Sequence, residues 1–302
     1  MITYFKRTVK DMTLSKIDSF ETGCWINVLN PNPEELNFLV KEYNLDIELL
    51  QEGLDENELP RTDLSEKEKY LFVKTVNREK NTLNTFLIVL SENFILTLSS
   101  EEPQSVKEII AGKTTFITTQ RIKCLVTLLT NIVDKFELAT TNIVKDVQRK
   151  KNTTLKLKEE DMESLLMYED TLNNFVTTYY YHSLLFNKIR KKIKFYEEDQ
   201  EDIEDLIVES TQGMNLCQRS LKTISNIRNF YSIILSNKLN RTIKILTVFT
   251  ILITIPAAIS SIYGMNVFLP LQENPFAFYY VLGIIVLLLG SFMYYLKARD
   301  LL

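Results

Sequence analysis

Residues 245–272 read ILTVFTILITIPAAISSIYGMNVFLPLQ, 28 positions without a charge, bounded by Lys244 and Glu273. A second uncharged run of 23 residues, NPFAFYYVLGIIVLLLGSFMYYL at 274–296, follows at once and ends at Lys297. A bilayer core of roughly 30 Å needs about 20 apolar residues of helix, so each run is long enough to cross it. The pattern predicts two C-terminal transmembrane helices, at about 243–263 and 276–296, joined by a short loop at 264–275. Lys238, Arg241 and Lys244 precede the first span, Lys297 and Arg299 follow the second, and the loop has neither Lys nor Arg. The positive-inside bias then puts both termini in the cytoplasm, on a multi-pass protein of the cell membrane, and leaves only the loop outside.

The rest of the chain is polar and acidic. Of 35 Lys/Arg and 39 Asp/Glu, only four bases and two acids lie from 241 onward, which leaves residues 1–240 with a net charge of −6. An acidic soluble part argues against nucleic acid as a partner, because binding to phosphates needs clustered cations. Seven scattered glycines form neither GxGxxG nor GxxxxGK, so no nucleotide cradle is visible. A single histidine, His182, disfavours a His–carboxylate zinc centre. Three separated cysteines, Cys24, Cys124 and Cys217, make no CxxC pair and read as reduced thiols. No enzyme and no organic cofactor is expected.

Residues 1–118 alternate between strand and helix signals. A strand at 24–29, a helix opened by Pro33 and running to about Tyr43, a hairpin of 70–76 and 83–90 around 78–81, a third strand at 94–98 and a helix from Pro103 to near Gly112 make a small α+β cytoplasmic domain. Strand signals then stop. Residues 119–240 read as a long helical hairpin, 120–152 and 159–199, leading into a stalk helix, with breaks at 152–154 and near Gln200. From Asp202 no strong breaker occurs before Pro256, so about 62 residues, roughly 93 Å of helix, run into the first span of a third region, 241–302. Gly213 is the one soft spot, with a cost of about 1 kcal/mol in a helix.

Polar residues along that helix are ordered. Asn240, Thr247, Thr254 and Ser261 recur every seven residues, and Ile243, Thr250 and Ala257 form a second row at the same interval. These are the two inward-facing rows of a supercoiled bundle. Here they are small and polar, while Leu246, Phe249, Leu252, Ile253, Ile255 and Ile259 lie off them. Inside a membrane such a seam either packs tightly through small residues or lines water.

The seam ends at Tyr263-Gly264-Met265-Asn266. YGMN closing the first of two C-terminal spans, before a short outer loop, resembles the CorA family of divalent-cation channels. The second GMN, at 213–215, has no Tyr before it, sits in a polar stalk, and is read as coincidence. The resemblance implies a homopentamer in the lipid bilayer whose first-span helices surround a pore for Mg2+, with Co2+ and Ni2+ as further cations. The family's filter falls on Tyr263, Gly264, Met265 and Asn266. Its cytoplasmic-mouth asparagine falls on Asn240, and its hydrophobic gate on Ile243 and Leu246. Two departures stand out. Ile255-Pro256-Ala257 replaces the family's Pro-Pro-Thr run, and the outer loop holds one carboxylate, Glu273, where many members have an acidic MPE-type loop. Five copies of Asn266 offer oxygens to a hydrated Mg2+ without fixed charge, which suits an ion that sheds water reluctantly and must also leave. Gly264 suits a helix end that must turn in little space.

Seven of the nine residues at 197–205 are carboxylates. Asp205 and Glu209, four apart, share one helix face. By spacing from Asn240, Asp205 coincides with the family's stalk aspartate, which pairs with an acid of a neighbouring subunit to bind regulatory Mg2+; Asp55, Glu56 and Glu58 in LDENELPR, or Glu79, are the candidate partners. The resulting expectation is a membrane-potential-driven Mg2+ channel closed by intracellular Mg2+. Two alternatives remain: a zinc transporter of the same fold, disfavoured by the scarcity of soft ligands near the pore, and a membrane-anchored scaffold whose seam only packs.

Overall fold

The computed structural model describes residues 1–65, 67–77, 82–271 and 273–298. By contact density the chain separates into two units, 1–227 and 228–302.

In the first unit seven strands form one sheet in the order β2-β1-β3-β7-β6-β5-β4. They are β1 (Ile2–Lys6), β2 (Ser15–Ile17), β3 (Cys24–Leu29), β4 (Arg61–Leu64), β5 (Lys69–Asn77), β6 (Thr82–Leu90) and β7 (Phe94–Ser99). Every pairing is antiparallel except β3 with β7. Two helices, α1 (Pro33–Tyr43) and α2 (Ile47–Glu52), follow β3. Asn32 caps α1 reciprocally: its side chain accepts from the Glu35 N–H at 2.7 Å, and the Glu35 carboxylate accepts from the Asn32 N–H at 3.0 Å. After β7 come α3 (Gln104–Ile110), α4 (Arg121–Asn152) and α5 (Glu159–Lys192).

The sheet is covered on both faces, which explains why β5 and β6 are apolar almost throughout rather than alternating. Leu71, Val73, Phe86, Ile88 and Ile95 join one core with side chains of α3, α4, α5 and the start of α6 (Glu197–Tyr263). Tyr70, Phe72, Leu87, Val89 and Leu96, one residue out of step, join a second core with Leu36, Leu39 and Leu50 of α1 and α2. Successive strand residues thus serve opposite cores.

Several polar groups inside these cores are paired, although Thr62 Oγ1, His182 Nδ1 and Ser210 Oγ are buried without a hydrogen-bond partner among the described residues. The Trp25 indole donates to Thr97 Oγ1 at 2.8 Å, and that hydroxyl donates to Asn27 Oδ1 at 3.0 Å. His182, wholly buried on α5, accepts from the Lys74 backbone N–H of β5 through Nε2 at 3.1 Å. Burial alone drops its pKa to about 3, so it is neutral in the fold. Gly213 is no soft spot. It is buried on α6, and a Cβ there would stand 2.4 Å from Cζ of Tyr179 on α5. The missing side chain is where the tyrosine ring lies.

The predicted strand at 24–29, the helix over 33–43 and the hairpin strands are present to within a residue. The turn at 78–81 lies outside the described residues. Four elements carry no expectation: β1, β2, α2 and the polar edge strand β4. The second arm of the hairpin ends at Lys192 rather than near 199, and the break falls at 193–196 rather than near Gln200. The acid run therefore opens α6. Glu197, Glu198 and Asp199 occupy its first turn, where backbone N–H groups and the helix dipole favour negative charge.

The second unit contains the distal part of α6 and α7 (Ala277–Ala298). Both helices are long and apolar enough to cross a membrane, and their apolar windows are not buried in the chain. α6 ends at Tyr263, as its pattern predicts, and remains helical through Pro256.

Candidate functional site

The seam on α6 is open. Asn240, Ile243, Leu246, Thr247, Thr250, Thr254, Ala257 and Ser261 are all exposed within the single chain. Val248, Ile251, Leu252, Ile255 and Ile259 are half-buried and lie on a different face at helical spacing. The threonine hydroxyls are committed to their own helix. Thr247 donates to the Ile243 carbonyl at 2.9 Å, Thr250 to Leu246 at 2.9 Å and Thr254 to Thr250 at 2.7 Å. With its proton spent on the backbone, each Oγ1 offers lone pairs outward. The three threonines therefore present acceptors along the seam. Pro256 has no N–H, so the Leu252 carbonyl one turn below gets no helical partner from it.

At the helix end the Gly264 N–H reaches the Ser260 carbonyl at 2.9 Å and the Met265 N–H reaches Ile262 at 3.2 Å, which closes the last turn. Tyr263, Gly264, Met265 and Asn266 are all exposed. Gly264 has no positive φ, and a Cβ there would meet the Ser260 carbonyl at an ordinary 3.4 Å. Within one chain nothing requires glycine at this turn.

The acidic candidates fall into two groups. Asp205 is exposed on α6, and Glu209 one turn on is half-buried. Burial, with Asp134 and Glu137 of α4 and Asp205 nearby, pushes the Glu209 carboxyl above its ordinary range. Asp134 is raised in the same direction by burial and by Glu137. The α4 acids escaped the sequence reading, because their nearness to Glu209 depends on how two distant helices pack. Elsewhere in the acid run, Glu204 pairs with Arg190 at 3.1 Å and Glu198 with Lys123 at 3.4 Å.

Asp55, Glu56 and Glu58 lie in the loop before β4. Glu58 pairs with Arg61 Nε at 2.7 Å, and Arg61 also reaches Glu52. Beneath the loop the buried Lys74 ammonium donates to the Glu56 carbonyl and to Thr85 Oγ1. Burial lowers the Lys74 pKa, while Asp55, Glu58 and Glu56 oppose that shift. This acidic loop already has an internal cation. Glu79 lies outside the described residues. Among the described residues of one chain, no three His, Cys, Asp or Glu side chains stand close enough to hold a metal ion together.

The family described as CorA-like Mg2+ transporter protein matches residues 20–298. The chain is 27 % identical to the cobalt/magnesium transport protein CorA of Methanocaldococcus jannaschii, over 91 % of this chain and 90 % of that one. The complete structure of the CorA magnesium transporter from that organism superposes with a TM-score of 0.84 at 25 % identity, covering 98 % of this chain and 97 % of the other. The full-length CmaX protein shares the fold at a TM-score of 0.76 and 14 % identity, covering 99 % of this chain and 96 % of that one. The ZntB cytoplasmic domain from Vibrio parahaemolyticus does so at 0.64 and 8 %, covering 78 % of this chain and 98 % of that one.

Proposed function

This chain belongs to the CorA-like Mg2+ transporter family, which makes it a divalent-cation transporter, and from that premise we propose that it is a homopentameric Mg2+ channel closed by intracellular Mg2+. In this reading residues 1–118 and 119–240 lie in the cytoplasm, and 241–302 form the pore in the cell membrane. The observation that carries it is the uncovered acceptor seam on α6 leading to Tyr263-Gly264-Met265-Asn266.

A hydrated cation turns its water protons outward. Such an ion is held by acceptors, which the Thr247, Thr250 and Thr254 hydroxyls supply once their own protons are spent. Thr247, Thr254 and Ser261, with Asn240 at the cytoplasmic mouth, offer only oxygen, the donor that hard Mg2+ takes. The thiol and imidazole ligands are elsewhere: all three cysteines and His182 are buried in the first unit. That supports Mg2+ over zinc. Ile243 and Leu246 form an apolar constriction that closes by excluding water, and Asn266 receives the hydrated ion at the outer end. Because Gly264 has room for a Cβ within one chain, the need for glycine arises where five copies converge. No nucleotide is required, since two charges falling through about 100 mV gain roughly 4.6 kcal/mol.

Regulation in this reading runs through Asp205, which bridges by Mg2+ to an acid of the neighbouring subunit, with Asp55, Glu56, Glu58 and Glu79 as candidates and Glu209 one turn away. Without the cation the acids repel and the subunits splay.

The test is flux into proteoliposomes under an imposed potential, with Mg2+, Co2+, Ni2+ and Zn2+ offered singly. Uptake of Mg2+ that follows the potential is expected. Uptake of Zn2+ alone would replace the cargo, and uptake of none would leave the seam a packing surface.

A further inference from the structure

The segment leaving the filter is apolar where a water-facing loop is ordinarily polar. Residues 267–271 read Val-Phe-Leu-Pro-Leu, and no charge occurs before Glu273. Phe268 is 99 % exposed, and Val267 and Leu271 are exposed beside it. Leu271 also holds a left-handed backbone, φ 69°, a conformation leucine rarely takes. Where the chain re-enters α7 a second exposed group follows: Phe276, Phe278, Tyr279 and Tyr280, the last three in the first turn. Phe278 and Tyr279 touch each other edge to face, with centroids 5.6 Å apart.

These rings have a counterpart. α7 carries Tyr294 and Tyr295 near its other end, both exposed, just before Lys297. From Ala277 to Lys297 the helix rises roughly 30 Å, the thickness of a hydrocarbon core, so each tyrosine pair lies within about a turn of one edge. Tyrosines gather at such edges because the ring is apolar and the hydroxyl needs water or headgroups. On that scale the 267–271 loop lies at the boundary of the leaflet next to the filter.

We propose that residues 267–271 dock into that leaflet: Phe268, flanked by Val267 and Leu271, is seated among phospholipid headgroups and upper acyl chains instead of standing in water. Leaving these side chains in water costs free energy in proportion to their apolar area, and the loop has no charge to oppose insertion. The bilayer is also the surface with which this loop is continuous at both ends. Docking begins one residue after Asn266, so it sets the depth at which the filter is held. The inference rests on α6 and α7 crossing the membrane, and not on which cation passes.

The buried state of Cys24, Cys124 and Cys217 makes the test clean, because a new surface cysteine labels selectively. Full chains carrying Leu271→Cys, Asn274→Cys or Leu287→Cys are labelled with an environment-sensitive nitrobenzoxadiazole dye and reconstituted in phosphatidylcholine vesicles. Doxyl-labelled phosphatidylcholine should roughly halve the signal at 271 and 287 while iodide leaves both nearly unchanged, and 274 should respond to iodide. Adding Phe268→Asp to Leu271→Cys should turn 271 iodide-sensitive while 287 stays lipid-quenched. Iodide quenching at 271 equal to that at 274 would overturn the proposal. Protection of 271 from both quenchers would overturn it too, by placing a second copy over the loop. Loss of lipid quenching at 287 would strike the membrane-spanning reading itself, and the docking with it.

Discussion

Residues 1–227 and 228–302 solve the problem of apolar surface in opposite ways. The first unit buries Trp25, Phe72, Phe86, Phe136, Phe175 and Tyr179 almost completely, in two cores on the two faces of one sheet. In the second unit Leu296 is the only buried residue among those described, although this is the more apolar part of the chain. One region is finished by its own sequence. The other is finished by lipid and, in the proposed channel, by four more copies. Substitutions should therefore act on folding in the first unit and on transport in the second.

The sharpest test of that contrast is Asn266→Ala. Its side chain is exposed and touches no core, so Mg2+ uptake should be abolished while the protein still assembles and melts as before. Normal uptake would remove the filter assignment. Asp205→Lys comes next and tests whether an exposed residue of the first unit reaches transport. A permanent cation there should mimic bound Mg2+ and hold flux low even at low internal Mg2+, whereas Asp205→Ala should raise flux at high internal Mg2+. Superimposable curves for wild type and both variants would make Asp205 a solvated surface charge.

Glycines give a comparison of intermediate size. Gly213→Ala forces a Cβ into the Tyr179 ring and should cost about 2 kcal/mol, seen as a lower melting temperature in the fluorescence of Trp25, the chain's single tryptophan. Gly283→Ala on α7 meets nothing within 4 Å and should leave that temperature unchanged. Disassembly of the Gly283→Ala protein would show that a neighbouring copy occupies that face. Thiol labelling maps the seam: cysteines at 247, 254 and 261 should react with small water-soluble reagents, and those at 248 and 252 should not. Equal protection of both sets would favour a packed seam.

The effect that vanishes at neutral pH is a pH slope confined to the first unit. His182 has a folded pKa of about 3, below its ordinary value near 6.5. Above pH 6.5 both states are neutral there and nothing is lost. As pH falls from 6.5 toward 3 the unfolded chain takes up a proton that the fold refuses, so stability drops by up to about 1.4 kcal/mol per pH unit. His182→Leu should flatten that slope in Trp25-monitored melts, although it leaves the Lys74 N–H without its acceptor. Asp134 and Glu209, raised in the fold, work the other way: their carboxylates destabilise at neutral pH and are relieved as pH falls through their folded pKa values.

What the sequence discloses follows the same division. The spans, the end of α6 at Tyr263 and the period-seven seam are legible because membrane thickness and helical period act on consecutive residues. The hairpin strands are legible because β5 and β6 are buried on both faces. β4 was invisible for the opposite reason: its RTDL is a polar edge whose strand character comes from pairing with β5. The acids beside Glu209 and the ammonium under the 55–58 loop were equally hidden, since they come from segments 72 to 75 and 16 to 19 residues away in the chain.

The tyrosine ring lodged at Gly213 acts as a mechanical detent. With Tyr179 filling the notch and its hydroxyl 3.1 Å from Thr140 Oγ1, α4, α5 and the first half of α6 are keyed at one level. For α6 to slide along α5 the ring must leave the notch and lose that hydrogen bond. The key thus fixes the axial register of this helix within its own unit. A larger residue at 213 would remove the keyway, and with it the fixed axial register.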